Sequence, residues 1–452
     1  MKLRELIEFS NGKLIGKFDL NLDICKFSID SRSIDDKTFF IPIKGEKADG
    51  HDYIESAIQN GAIGFFTSRE IDEIPGKIII KVDDTLKAMQ DLARNIRIKL
   101  KDIPLIAITG SVGKTTTKDM IYSVLKEKFN VLRTKENFNN DIGMPLTLIN
   151  YDNEDIIVLE MGMNHFGEIS FLSNIAKPNI AVIINVGHSH IGNLGSRENI
   201  LKAKLEILDG MDESGVLILN GDNDMLATVK DTKQKIITFG FENDTDTYAY
   251  NIRIEKDCTV FNIKEDEKEY EVKLNLIGEK FIYNALAAWT IGKIYNIPIE
   301  DRINALYNSE FTKMRMNINK KDGITIIDDS YNASPESMKL ALQALSKQDA
   351  KRKIAILGDM FELGEYAENL HIKVGEEVEK CGIDNLFTVG KNAKNIAKGA
   401  VNKGMQKEKI ISFENLEELL CILNDYIKEG DAILVKASRG MHFEKIVEKI
   451  MH

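Results

Sequence analysis

In the stretch Leu105-Ile-Ala-Ile-Thr-Gly-Ser-Val-Gly-Lys-Thr-Thr-Thr117, an apolar run leads directly into a glycine-containing loop. The apolar residues predict a buried parallel strand, and residues 118–129 have helical spacing. Glycines let backbone N–H groups surround a phosphate, and a helix N-terminus adds a favourable dipole. The order strand, loop, helix favours nucleotide binding over a chance strand–turn–helix, with contacts from Gly110, Ser111, Val112, Gly113, Lys114, Thr115 and Thr116.

Two side chains of this loop have defined chemical tasks. Lys114 is placed to reach the β- and γ-phosphates of ATP, and the Thr115 hydroxyl can bind Mg²⁺. One position departs from the full pattern, which has a glycine five residues before Gly113, where this chain has Ile108. The loop is therefore the shortened form Gly-x-x-Gly-Lys-Thr.

Composition limits the class of protein. A length of 452 residues predicts about three domains, and a net charge of −11 argues against nucleic acid as a partner. The cysteines (Cys25, Cys258, Cys381 and Cys421) lie too far apart for a zinc motif or a disulfide framework. No apolar run approaches the ~18 residues of a membrane helix, so we expect a cytoplasmic protein without membrane insertion.

The pattern of elements predicts α/β structure throughout. Residues 1–100 form a first unit, and Pro104 marks a boundary because the residue before a proline resists helix. Strands and helices alternate in the second unit, residues 101–311, as expected for a mostly parallel sheet, although residues 248–276 read as antiparallel. The third unit, residues 312–452, is again α/β.

Apolar runs and helical spacing place the elements. The predicted strands are 38–43, 78–82, 105–109, 156–160, 180–186, 216–220, 324–328, 353–358, 386–389 and 432–436. The predicted helices are 53–60, 85–100, 118–129, 280–295 and one that begins at Pro335.

Polar residues end several of these strands, where α/β proteins bind ligands. Glu160 ends the strand 156–160, and P-loop enzymes hold Mg²⁺ with an acid at this place, although an acid that ends a strand is often a solvated terminus. Asn185, His188 and His190 follow the strand that begins at Ile180, and either histidine is as consistent with a loop residue as with a ligand. Polar strand ends in the third unit predict a cleft that closes over a nucleotide.

Residues 319–322, Asn-Lys-Lys-Asp, match the string by which some proteins read guanine. That string should end an apolar strand, and here it precedes one. We therefore interpret it as a turn and reject guanine specificity.

Several stretches together resemble the Mur ligases. The residues that carry the resemblance are Thr109–Lys118, Asn139–Thr147, Asp328–Pro335, Leu357–Gly364, Asp30–Arg32, Asp49–His51, His371 and Lys436–Arg439. The resemblance spans essentially the whole chain. It implies three domains: one for the UDP end of the substrate, a central P-loop ATPase with a mostly parallel sheet, and a C-terminal Rossmann-like domain for the incoming dipeptide.

The resemblance also implies a reaction and its partners. Within the family, the resemblance is strongest to the ligases that use ATP to join D-alanyl-D-alanine to UDP-N-acetylmuramoyl-tripeptide. These ligases act through an acyl phosphate, in peptidoglycan synthesis. It further implies a monomer and two Mg²⁺ ions. Thr115 and Glu160 would hold one ion, and His190 would help hold the second, together with Lys204, which aligns with a lysine that the family carbamylates.

Other positions carry over by their match to family motifs. Asn284 corresponds to an asparagine near the adenine, although Lys280-Phe281 replace the usual His-Asn upstream. Met314 replaces the glycine that commonly precedes the arginine at position 315. Arg315 and Asp329 correspond to residues that reach ATP from the third domain. The substrate contacts implied are Ser31, Arg32, His51, Asn139, Asn140, Asn332 and Asp359.

Two alternatives stay open. The family members that add the third residue usually carry Asp-Tyr-Ala-His where this chain has Asp329-Ser-Tyr-Asn332. A nucleotide-binding module without catalysis is a different class, and the presence of Lys114, Glu160 and Lys204 argues against it.

Overall fold

The computed structural model describes residues 1–255, 258–312, 314 and 316–451. Within these residues, the strands form three sheets of five, nine and six strands, one in each part of the chain. The expectation of a three-domain α/β fold is confirmed. None of the helices in the described residues combines the length and the hydrophobicity that a membrane crossing requires.

The N-terminal sheet has the order β1-β5-β4-β3-β2, with β1 antiparallel and the other strands parallel. Its strands are β1 Lys13–Ile15, β2 Lys26–Ser28, β3 Thr38–Phe40, β4 Gly64–Thr67 and β5 Ile78–Lys81. The helices of this unit are α1 Leu3–Phe9, α2 Ile54–Gln59 and α3 Thr85–Lys99.

The central sheet has the order β14-β13-β12-β11-β10-β9-β6-β8-β7, and its pairings are parallel except for β12–β13 and β13–β14, which are antiparallel. Its strands are β6 Leu105–Thr109, β7 Val131–Arg133, β8 Ile156–Glu160, β9 Ile180–Ile183, β10 Val216–Asn220, β11 Lys235–Gly240, β12 Thr247–Ile254, β13 Thr259–Glu265 and β14 Lys268–Leu274. The helices are α4 Lys114–Leu125, α5 Gly143–Ile149, α6 Glu168–Ala176, α7 Ile191–Leu194, α8 Arg197–Leu205, α9 Lys280–Ile294 and α10 Ile299–Tyr307.

The C-terminal sheet has the order β15-β16-β20-β17-β18-β19, with only the pair β15–β16 antiparallel among its described pairings. Its strands are β15 Asn317–Lys321, β16 Ile324–Asp328, β17 Arg352–Gly358, β18 Asn385–Val389, β19 Ile410–Phe413 and β20 Asp431–Lys436. The helices are α11 Pro335–Ser346, α12 Ala367–Lys380, α13 Lys394–Lys403, α14 Leu416–Tyr426 and α15 Glu444–Met451.

Two predictions need correction. The helix after the glycine loop begins at Lys114, four residues earlier than predicted, because Gly113 (φ +83°) turns the chain directly into it. The string at 319–322 is not a turn as a whole, since residues 319–321 lie in the edge strand β15. The turn is at Asp322 and Gly323, both with positive φ, and the strand escaped prediction because most of its side chains are polar.

Arg97 joins the N-terminal unit to the central one. Its guanidinium is buried and donates to the carbonyl oxygens of Ala176 (2.6 Å), Ile103 (2.8 Å) and Lys177 (3.1 Å). Burial lowers the pKa of Arg97, but the carbonyl oxygens stabilise the cation. The end of α3 is thereby tied to the end of α6, and the first unit is fixed beside the sheet that carries the glycine loop.

Replacing Arg97 should therefore destabilise the fold. In Arg97→Met, buried carbonyl oxygens lose their donor, and we expect the free energy of unfolding to fall by ~3 kcal/mol, measured by chemical denaturation. Arg94→Met is the matched control, because Arg94 is half-exposed on the same helix and pairs only with Asp91. Its loss should stay below about 1 kcal/mol. Equal losses in both variants would contradict the role of Arg97.

Candidate active site

The glycine loop is braced by the tip of the neighbouring strand. The Asn185 side chain accepts a hydrogen bond from the Val112 N–H (2.9 Å) and donates to the Val112 carbonyl (2.9 Å). The Ser111 hydroxyl accepts from the Gly187 N–H (2.9 Å), and the Lys114 ammonium donates to the Gly110 carbonyl (2.9 Å). Asn185, predicted at a ligand-binding strand end, thus supports the loop.

Thr115, in the first turn of α4, meets Glu160 at the end of β8. The Thr115 hydroxyl donates to Glu160 Oε2 (2.9 Å), and the Asn139 amide donates to Oε1 (2.8 Å). Both Thr115 and Glu160 are 1% exposed. Each carboxylate oxygen accepts more than one hydrogen bond or ion, so the pair can still contribute ligands to a cation.

His190 lies between β9 and α7, and Lys204 lies on α8. His190 Nδ1 is hydrogen-bonded to Glu362, which comes from the C-terminal unit. Lys204, on α8, is 1% exposed, and burial together with the positive charge of Lys114 lowers its pKa well below the ordinary value. The two lysines are therefore close enough to affect each other.

A cavity of about 1180 Å³ lies between the three units. The N-terminal unit contributes Leu86 and Gln90 to its wall, and the C-terminal unit contributes Asp329, Asn332 and Lys436. The predicted site residues that line it are Ser111, Val112, Gly113, Lys114, Thr115, Thr116, Asn139, Asn140, Glu160, His190, Asn284, Asp329 and Asn332.

Several predicted substrate contacts have local structural partners instead. The His51 ring is buried, with Nδ1 hydrogen-bonded to Asp49 (2.7 Å) and Nε2 accepting from the Ser68 N–H (3.0 Å). Ser31 is buried in a short 3₁₀ turn, and Arg32 beside it is exposed and paired with Asp30. These side chains do not line the cavity that the described residues form.

Asn140 and Asp359 serve as caps. Asn140 Oδ1 accepts from the Gly143 N–H (2.8 Å) at the start of α5, and buried Asp359 accepts from the Ala393 N–H (2.6 Å). Asp359 also lies outside the cavity wall that the described residues form.

The residues that the sequence predicts to face the nucleotide come from two units. Asn284 Oδ1 accepts from the Thr117 hydroxyl (3.1 Å), which places α9 against the glycine loop. Asp329 accepts from the Met316 N–H (3.2 Å) and forms an ion pair with Lys436. The predicted contact from Arg315 lies outside the described residues.

Sequence reasoning missed two acidic residues of the C-terminal unit whose side chains contact the central unit, Glu362 and Glu336. Glu336 Oε1 accepts from both the backbone N–H (2.9 Å) and ring Nδ1 (2.6 Å) of His188. Glu362 lies in a stretch that carried the family resemblance, which was a usable signal, whereas Glu336 shows only as an acid in the first turn of a helix. His371 supports the Glu362 loop, since its Nε2 accepts from the Met360 N–H (3.0 Å).

Known proteins share this arrangement. The descriptions "Mur ligase family, catalytic domain", "Mur ligase middle domain" and "Mur ligase, glutamate ligase domain" match residues 24–97, 108–292 and 314–439. The UDP-N-acetylmuramoyl-tripeptide–D-alanyl-D-alanine ligase of Bacillus subtilis is 40% identical, over 93% of this chain and 92% of the relative. This chain belongs to the Mur ligase family. The predicted domain boundaries 1–100, 101–311 and 312–452 stay predictions.

Further Mur ligases agree over nearly the full length. The Escherichia coli enzyme with the same name is 33% identical, over 99% of this chain and 98% of the relative. A crystal structure of MurF from Acinetobacter baumannii superposes with a TM-score of 0.88 at 30% identity, covering 100% of this chain and 98% of that one. MurF from Thermotoga maritima in complex with ADP gives 0.79 at 29% identity, covering 94% and 97%.

A tight contact between α7 and the Glu362 loop generates a prediction. The Gly192 N–H donates to the Glu362 carbonyl (3.0 Å), and a Cβ at Gly192 would lie 2.5 Å from the Gly364 nitrogen. Gly192→Ala should push the loop away and separate Glu362 from His190. We expect kcat to fall at least about tenfold with unchanged thermal stability.

Asn193→Ala is the control for this experiment, because Asn193 is an exposed neighbour on the same helix. It should leave turnover unchanged. Full activity of Gly192→Ala would show that the close approach of the two glycines is not needed for turnover.

Proposed function

We propose that this chain is an ATP-dependent ligase that joins D-alanyl-D-alanine to the terminal carboxylate of UDP-N-acetylmuramoyl-tripeptide. The products are the pentapeptide, ADP and phosphate, in the synthesis of peptidoglycan precursors. The observation that carries the proposal is the contact of Thr115 with Glu160 beside the glycine loop, in a cavity lined by all three units. The relatives' names supply the substrates, and the sequence analysis adds the expectation of a cytoplasmic monomer.

The chemistry needs two anions to approach each other. The peptide carboxylate attacks the γ-phosphorus of ATP, the bond to the bridging oxygen breaks, and ADP leaves with an acyl phosphate formed. The amino group of the dipeptide then attacks the acyl carbon, loses a proton, and phosphate leaves. Lys114 and the N-terminus of α4 supply positive charge where the phosphoryl group lies.

The donor set suits magnesium. Among the described residues there is no group of three His, Cys, Asp or Glu side chains that could hold a metal ion. Mg²⁺ in nucleotide sites is bound by one or two protein oxygens, with the phosphates and water completing its shell. Thr115 and Glu160 fit that requirement, and His190 with a modified Lys204 would serve a second ion. When bound, Mg²⁺ withdraws negative charge from the reacting oxygens.

Lys204 fits the modification that the family resemblance implies. Its lowered pKa favours the neutral amine, and a neutral amine can attack carbon dioxide. A nitrogen–carbon bond then forms, one proton is released, and the cation becomes a carbamate anion. The buried Lys204 side chain lies near enough to interact with Lys114, which lines the cavity, and a carbamate there would add negative charge beside the candidate cation site.

The first test is the substrate dependence of phosphate release. We expect purified protein to release phosphate from ATP only when both UDP-N-acetylmuramoyl-tripeptide and D-alanyl-D-alanine are present. Lys114→Ala should reduce the rate at least about a hundredfold, because phosphate charge is no longer neutralised. Equal release without the dipeptide, or full turnover in the variant, would contradict the proposal.

The second test concerns Lys204. With ¹³C-labelled bicarbonate, we expect one carbamate carbon signal that disappears in Lys204→Ala and persists in Lys202→Ala, whose side chain is exposed on the same helix. Turnover should fall only in Lys204→Ala. A signal that survives in Lys204→Ala, or no signal in the unaltered protein, would rule out this modification.

A further inference from the structure

Glu336 lines the cavity, and one of its carboxylate oxygens has no partner among the described residues. Its Oε1 accepts two hydrogen bonds from His188, whereas Oε2 is buried and has no hydrogen-bond partner among the residues that the structure describes. A buried acceptor without a partner is costly, so it indicates a ligand that supplies a donor. Glu336 lines the cavity at the start of α11.

The carboxylate stays ionised and is fixed in place. Burial opposes ionisation, but the hydrogen bonds from His188 outweigh it, and the pKa of Glu336 lies below its ordinary value. A Cβ at Gly187 would lie 2.7 Å from Oε1 of Glu336. The carboxylate can therefore approach the tip of β9 only because residue 187 has no side chain. The side chain cannot turn away without losing both hydrogen bonds to the central unit.

The strand order shows which part of the ligand lies there. In the strand order β10-β9-β6-β8, Glu160 at the end of β8 lies on one side of the glycine loop and the tip of β9 lies on the other. Glu336 contacts His188, which follows β9, and is therefore on this second side. Lys280 of α9, which is near enough for its charge to interact with Glu336, lies on that second side. The reacting carboxylate and γ-phosphate belong beside Glu160, whereas Asn284 of α9, which contacts the start of α4, is the residue that the family resemblance assigns to the adenine.

We propose that Glu336 recognises the nucleoside part of ATP by accepting a hydrogen bond on Oε2 from a ribose hydroxyl or from the adenine amino group. Both are neutral donors, and a carboxylate accepts strongly from either. Phosphate oxygens are excluded as partners because they carry negative charge and no donor. The inference deepens the proposed ATP-dependent function by adding a specificity determinant from the C-terminal unit.

The test compares nucleotides that each lack one donor. Calorimetry would measure the Kd of ATP, 2′-deoxy-ATP, 3′-deoxy-ATP and inosine triphosphate for the unaltered full chain, Glu336→Ala and Glu336→Gln. We expect Glu336→Ala to weaken ATP binding at least about tenfold and to leave unchanged the binding of the one analogue that lacks the bonded donor. Glu336→Gln, which retains an acceptor oxygen, should recover part of the affinity.

The controls separate this inference from the proposed reaction. Glu368→Ala changes an exposed glutamate in the first turn of α12 and should not alter any Kd. Binding is measured without peptide substrates, so a failure of ligation would leave the result intact. Unchanged ATP binding in Glu336→Ala, or an equal loss for all four nucleotides, would overturn the recognition role and leave Glu336 as a domain contact only.

Discussion

The hydrogen bond from Thr115, in the first turn of α4, to Glu160, at the end of β8, holds the candidate site together. The register of β6 and β8 sets Ile108 opposite Glu160, so the acid emerges beside the glycine loop. A buried carboxylate is stable there because Thr115 and Asn139 each donate to it. The same pair of oxygens can still bind a cation, and the phosphates of a nucleotide on the loop would lie next to that cation.

The two outer units are attached to this centre in different ways. The N-terminal unit is joined by the buried guanidinium of Arg97, whose donors are all directed to backbone and side-chain oxygens. The C-terminal unit is joined across the cavity by His188–Glu336 and His190–Glu362, whose side chains are partly exposed. Partly exposed hydrogen bonds cost little to exchange for water. The geometry therefore favours movement of the C-terminal unit during a catalytic cycle, with the other two units moving together.

Much of the fold could be predicted because buried parallel strands are continuous apolar runs between helices. The strands at 105–109, 156–160 and 216–220 coincide with their predicted bounds. The edge strand β15 could not be found in this way, since its mostly polar side chains carry no such signal. The site followed the same division: Thr115 was visible in the glycine-loop motif and Glu160 as a strand end, whereas Glu336 and Glu362 pair with histidines 148 and 172 residues away. Such pairings depend on how whole domains dock.

Polar and charged residues in and around the candidate site divide into two groups, and the hydrogen bonds that they make separate them. Asn185 and His51 use their polar atoms on the backbone and on neighbouring side chains, which makes them supports for loops. Glu336 has a buried oxygen without a partner among the described residues, and Lys204 is a buried amine whose cationic form burial disfavours. A protein gains nothing in stability from either arrangement. Groups that are buried, chargeable and incompletely satisfied at a cavity are therefore those that a ligand completes, and this criterion selects Glu336, where residue type and position along the chain alone would not.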